Sequence, residues 1–163
     1  STMATYMYED AVKLPVALFV VELLTTVARH EHENRQLFEF VDASIDVLEL
    51  DGEHTANFHL VFMTMLTRLV GIAPDEETYA AGSWLDLREG CFTLLRPAHQ
   101  DVAQPEVAQR IALFLRGGFE GVAMPMNRDE RNCCLDALMD YYRLHLPSFP
   151  ELKSVAILRQ LFQ

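Results

Sequence analysis

At 163 residues, half of them hydrophobic and 23% charged, the chain has the make-up of one globular domain with a sizeable core. Its net charge of −11 is uneven: the first 77 residues carry fourteen acidic against four basic side chains, whereas residues 127–163 carry five of each. An acidic first half repels phosphate and makes a poor nucleic-acid surface, so any contact with an anionic partner is expected from the last third.

The N-terminus carries Glu9 and Asp10 where a secretory signal would place basic residues. The apolar run Val16–Leu24 is broken by Glu22 and is too short to span a bilayer. Pro15 suits a first helical turn, after which Val16, Phe19, Val20, Leu23, Leu24 and Val27 recur on one face. That helix fades in the polar tract His30-Glu31-His32-Glu33-Asn34. A second helix is expected from about Arg35 to Leu50, with Leu37, Phe38, Val41, Ile45 and Leu48 inward and Asp51-Gly52 as its stop. A third runs from about Ala56 to Val70 with a stripe of Phe58, Phe62, Met65, Leu66 and Leu69, ended by Gly71 and Pro74. Short links make these three a compact antiparallel layer.

The pattern then changes. Trp84-Leu85-Asp86-Leu87 and Cys91-Phe92-Thr93-Leu94 flank Arg88-Glu89-Gly90, the signature of a short hairpin. Pro97 and Pro105 bracket a loop, and Pro105 opens a fourth helix through Leu115, closed by Gly117-Gly118. Asn127 and Glu130 form a capping box at the head of a long helix over 128–146, whose apolar face is Leu135, Leu138, Met139, Tyr142 and Leu146. A proline-bounded corner, Pro147 to Pro150, leads to Lys153-Ser154 and a short closing helix. The fold class is mainly α: a compact antiparallel helical domain with one small β-hairpin.

Few of the residues suggest catalysis. His30 and His32 alternate with glutamates, but no histidine pair stands four apart, so a solvated helix end explains them better than a metal site. His54 and His59 read as surface or edge positions. Cys91, Cys133 and Cys134 contain no C-x-x-C and make no disulfide framework, which points to a reducing cytoplasm and to no zinc site. On a helix Cys133 and Cys134 diverge by about 100°, placing one in the core and leaving the other part-exposed. No phosphate loop, nucleophile elbow or dinucleotide fingerprint is present, and Asp86 with Glu89 reads as hairpin surface. No catalytic residue, cofactor or metal ligand is therefore assigned. Arg143, Lys153 and Arg159 gather around the closing corner near Tyr141 and Tyr142, a set that fits phosphate or an acidic peptide as well as it fits the flank of an exposed terminal helix.

Several blocks in order resemble the RecO family of bacterial recombination mediators, in its Bacteroidetes-type form. They are Leu14-Pro15-Val16-Ala17-Leu18-Phe19-Val20-Val21-Glu22-Leu23-Leu24, with Glu22 at the family's glutamate; Asn34-Arg35-Gln36-Leu37-Phe38-Glu39-Phe40; Phe62 through Leu66 and Leu69 to Gly71 and Pro74; Leu85-Asp86-Leu87-Arg88-Glu89-Gly90-Cys91-Phe92; and the Lys153-Ser154 ending. Many members carry a four-cysteine zinc module between the third helix and the hairpin, and residues 75–90 hold no cysteine for one. Members also begin with an oligonucleotide-binding barrel that nothing before Leu14 supplies. Residues 14–163 accordingly read as the C-terminal helical domain, with residues 1–13 as an N-terminal tail.

The resemblance implies a non-enzymatic role in cytoplasmic DNA repair and recombination. It implies RecR and the acidic, phenylalanine-ended tail of single-strand-binding protein as partners, and single- and double-stranded DNA as ligands of the full-length protein. No membrane is involved. One wall of the tail groove is expected on the third helix, from Phe58, His59, Phe62 and Arg68, a core role for Phe62 being the competing reading. The other wall is expected from Lys153 and Arg159, with Arg143, Lys153 and Ser154 as an anion-binding corner. The alternatives are a DNA-binding domain acting through the C-terminal basic cluster and a small helical enzyme of unknown reaction.

Overall fold

The computed structural model describes residues 2–28, 34–50 and 55–161. These contain helices α1 (Thr2–Ala28), α2 (Arg35–Leu50), α3 (Phe58–Leu69), α4 (Pro105–Gly117), α5 (Arg128–His145) and α6 (Val155–Leu161). A three-stranded antiparallel sheet in the order β2-β1-β3 joins β1 (Trp84–Asp86), β2 (Cys91–Thr93) and β3 (Val102–Ala103). The mainly α class with a small hairpin holds, and β3 turns the hairpin into a sheet by pairing Leu85 with Ala103. Two residues are too short a run to leave an alternating pattern in the sequence. The tracts holding His30, His32, His54 and Asp51-Gly52 lie outside the described residues.

Helix α3 is the centre. Leu60, Val61, Phe62, Met63 and Leu66 are fully buried, and α1, α2, α4 and α5 all pack on it. A helix apolar nearly all round is buried on most sides, and only the edge of Met65, Arg68 and Leu69 reaches toward solvent. Its two threonines are buried by bonding back into the helix, Thr64 Oγ1 to the Leu60 carbonyl at 2.8 Å and Thr67 Oγ1 to the Thr64 carbonyl at 2.5 Å. Helix α5 is tied to this centre by its aromatic tips. Tyr142 donates its hydroxyl to the Met63 carbonyl at 2.6 Å, and Tyr141 donates to the Ile72 carbonyl. His145 donates Nε2–H to the Leu87 carbonyl at 2.7 Å, which joins α5 to the sheet.

The capping box at the head of α5 forms as expected, with a variation. The Glu130 N–H donates to Asn127 Oδ1 at 2.8 Å, while Glu130 Oε1 accepts from the Asn127 side-chain amide at 3.0 Å. Cys134 is buried and Cys133 exposed, as the helical geometry requires.

Three expectations are corrected. Helix α1 does not start at Pro15: it begins at Thr2 and runs through the proline. An interior proline costs about 3 kcal/mol, and burial on both sides of it, at Val12, Val16 and Phe19, offsets that. The apolar stretch is consequently longer than Val16–Leu24. Ala11–Ala28 is long and apolar enough to cross a membrane by length and composition alone, yet Val16, Phe19 and Leu23 on its inner face are fully buried in the core. Helix α2 is also rotated from the predicted orientation. Phe40, Ser44 and Leu48 turn inward, Phe40 stacking on Phe62 at 5.1 Å, while Phe38 is 74% and Ile45 is 45% exposed. Finally, Asp86 is buried rather than on the hairpin surface. Its Oδ1 accepts the Arg88 and Glu89 N–H groups, both at 3.0 Å, and His99 Nε2–H at 3.0 Å, which closes the β1–β2 turn onto the loop before β3.

Candidate functional site

The closing corner becomes a groove between α5 and α6. It encloses about 590 Å³ and is lined by Met139, Arg143, Glu151, Leu152, Lys153, Val155, Ala156 and Arg159. Its floor is apolar because Met139 and Leu152 are buried residues of the core that end at the groove. Its rim holds three cations, Arg143, Lys153 and Arg159, and one carboxylate, Glu151. Arg143 pairs with Asp140 at 2.9 Å and Arg159 pairs with Asp136, both in exposed settings where an ion pair is worth about 0–1 kcal/mol and exchanges readily. Among the described residues Lys153 has no ion pair.

The groove wall is held by a residue from the other end of the chain. Glu22 on α1 accepts the Lys153 N–H at 3.1 Å, the Ser154 N–H at 3.0 Å and the Ser154 hydroxyl at 2.7 Å. A carboxylate there occupies the positive end of α6 and satisfies its leading donors. Burial alone raises the Glu22 carboxyl, but the bonds from Ser154 and Lys153 and the Lys153 charge outweigh it, leaving the pKa below its ordinary value. At the other end of α6 the Arg159 carbonyl accepts Arg128 Nε–H at 2.9 Å, which fixes the helix on α5.

The structure brings together Arg143, Lys153 and Arg159 from the expected set and separates the rest. Ser154 is no anion donor for a partner, because its N–H and hydroxyl are both spent on Glu22. Phe58, His59 and Phe62 form no groove wall: all three are buried at 2% exposure or less, inside the all-round apolar α3. His59 is not a surface residue either; it stands edge-on to Phe19, and burial, with the Arg131 charge second, pushes its pKa down to about 3. Arg68 lies elsewhere, in a slot of about 340 Å³ with Arg116, Phe40, Met65, Leu69 and Leu115. There Arg68 pairs with Glu76 at 3.0 Å and Arg116 lies over the Tyr79 ring at 5.2 Å.

Sequence reasoning missed Glu22, Met139 and Leu152 as parts of the groove. The signal for Glu22 was present: a lone carboxylate interrupting Val16–Leu24 needs a partner if it faces protein. Met139 and Leu152 carry no such signal, since a core residue that ends at a groove looks like any other core residue.

The nearest approach to a catalytic set is Asp86, His99 and Cys91. His99 Nδ1 accepts the Asp101 N–H at 3.1 Å, so its other nitrogen is the one donating to Asp86 and both are used in shaping the loop. Cys91 sits opposite Asp86 across the β1–β2 pair. Burial first, then the charges of Asp86, Glu89 and Asp75, raise its pKa and hold it as the thiol, the wrong form for a nucleophile. Among the described residues no group of three His, Cys, Asp or Glu is placed to hold a metal ion.

Residues 8–155 match the family described as recombination protein O C terminal. The chain is 42% identical over 154 residues to the DNA repair protein RecO of Phocaeicola vulgatus, covering 94% of this chain and 64% of that one. It is 42% identical over 155 residues to the protein of the same name from Bacteroides fragilis and 40% identical over 159 residues to that from Porphyromonas gingivalis, with the same shares covered. The chain thus spans somewhat less than two thirds of the length of these curated relatives. No solved structure matches it significantly. By the match over nearly its whole length, the chain belongs to the recombination protein O C-terminal family.

Proposed function

We propose that this chain is the protein-docking part of a non-enzymatic recombination mediator in cytoplasmic DNA repair. Its α5–α6 groove receives the acidic, phenylalanine-ended tail of single-strand-binding protein. The observation that carries this is the groove's make-up: an apolar floor of Met139 and Leu152 under a rim of Arg143, Lys153 and Arg159, in a chain of net charge −11. A terminal aromatic ring buries apolar area on the floor, and the carboxylates beside it exchange into the exposed pairs of Arg143 and Arg159 or meet Lys153. Annealing of strands, contact with RecR and binding of single- and double-stranded DNA are proposed for the whole protein on the strength of the sequence resemblance.

Calorimetric titration with an acidic peptide ending in Pro-Phe tests the proposal. The expected result is saturable binding that weakens with salt, is lost when the final Phe is removed, and falls about ten-fold in Lys153→Glu or Arg159→Glu. Absence of binding at low salt overturns it. The second reading, direct DNA binding through the same basic cluster, is favoured only by the three cations. A salt-sensitive shift of single-stranded DNA by this chain, abolished by those two substitutions, would install it in place of the first.

A further inference from the structure

The three cations on the rim of the α5–α6 groove are not placed by the same element. Arg143 stands on α5, and Arg159 is fixed to α5 twice, its side chain pairing with Asp136 and its carbonyl accepting Arg128 Nε–H at 2.9 Å. Lys153 lies just before α6 and is fixed to α1 instead. Glu22 accepts the Lys153 N–H at 3.1 Å and, beside it, both the N–H and the hydroxyl of Ser154. Glu22 is not among the residues that line the groove. It holds the wall from behind.

Helix α6 needs such a hold. Its seven residues fall short of the about 12–15 at which an isolated helix becomes stable, and Leu158 is its one buried side chain. Leu152 is buried and the Phe149 ring packs on Tyr142 at 5.5 Å, so the corner as a whole stays docked without Glu22. What Glu22 adds is a fixed backbone at Lys153 and Ser154, through three charge-assisted bonds to one carboxylate. An ammonium carried on an ordered backbone loses less freedom on meeting an anion than one carried on a loose backbone.

As a plain charge the same carboxylate acts the other way. It interacts with the Lys153 charge and so lowers the positive potential that an acidic tail meets at the rim. Among the described residues Lys153 forms no ion pair, so this opposing effect acts across a partly exposed wall and is screened, whereas the three bonds are direct. We infer, on the reading that the acidic tail docks between α5 and α6, that Glu22 is a positioning residue for it. From α1, and without touching the ligand, it fixes Lys153 at the rim and makes α1 part of the binding machinery.

Calorimetric titration of the full chain with the acidic peptide ending in Pro-Phe tests this. The chains compared are the parent, Glu22→Gln, Lys153→Ala, Arg159→Ala and the two double variants that carry Glu22→Gln. Glu22→Gln is expected to bind about five-fold more weakly, although it removes a negative charge from the neighbourhood of an acidic ligand. In the Lys153→Ala background the same substitution is expected to change affinity little, and in the Arg159→Ala background to show the full five-fold loss. A merely structural Glu22 would be felt equally in both. Unchanged circular dichroism at the titration temperature confirms that the variants are folded. If the parent binds, then equal or tighter binding by Glu22→Gln, or a loss of the same size in both backgrounds, overturns the positioning role alone. A parent that does not bind the peptide overturns the docking reading and the positioning role with it.

Discussion

Glu22 shows how one side chain ties the two ends of the chain together. It reaches from α1 to the head of α6 and collects three hydrogen bonds there. Because its pKa in the fold lies below the ordinary carboxylate value, the stability it contributes is fully present above about pH 4.5 and is lost as pH falls through the folded value. Bonds to a charged group are worth about 1.5–3 kcal/mol, and partial exposure here reduces that to about 1 kcal/mol. Glu22→Gln is expected to lower stability by roughly this amount near neutrality. The gap from the parent should close as denaturation curves are taken to lower pH, and a constant gap would show that the charge is irrelevant. His59 gives the complementary case. Its folded pKa of about 3 lies below the unfolded value near 6.5, so the unfolded chain binds the extra proton first. Stability should fall as pH drops below 6.5, by up to about 1.4 kcal/mol per unit, and that slope should flatten in His59→Leu whatever the variant's absolute stability. The residue scale was only partly legible in the sequence. A buried histidine within a largely apolar helix looked like a surface residue because histidine is read as polar, although the ring beside Phe19 is packed as an aromatic.

At the scale of elements the limits of helices were more legible than their orientation. The spans of α2 and α4, the hairpin, and the capped start of α5 follow from patterns that the backbone itself enforces: capping residues, proline at a first turn, glycine at a turn. The face that α2 presents does not. Apolar residues occur on both sides of it, Phe40 and Leu48 on one, Phe38 and Ile45 on the other, so periodicity alone allows either rotation. The stack of Phe40 on Phe62 and Phe119 decides it, at 5.1 and 6.1 Å. That contact is long-range and invisible to any local pattern. The hairpin turn offers a test of the opposite kind, where a local signal and a tertiary contact coincide. Gly90 has φ +68°, and a methyl group there would stand 2.9 Å from the Tyr141 hydroxyl. Gly90→Ala therefore meets both a left-handed backbone and a clash, expected to cost about 1–3 kcal/mol. Thermal melting should show the loss, and a variant melting with the parent would mean that the turn relaxes without consequence for α5.

At the scale of the molecule, charge is distributed by task. The acidic first half contributes α1 and α2, and the balanced last third contributes the groove between α5 and α6 with Arg143, Lys153 and Arg159 on its rim. The sequence announced the second of these through its charge balance and through Arg143, Lys153 and Arg159. It also pointed to α3, where Phe58, His59 and Phe62 are buried, because a mostly buried helix shows the same apolar stripe as an amphipathic one. The central claim is thus positional: an acidic tail with a terminal Phe belongs between α5 and α6, not beside Arg68. Methyl-resolved NMR during titration with that peptide locates it directly. The account predicts shifts at Met139, Leu152, Val155 and Ala156 with Met65, Leu69 and Leu115 unmoved; shifts confined to those last three would place the tail in the Arg68–Arg116 slot and contradict it.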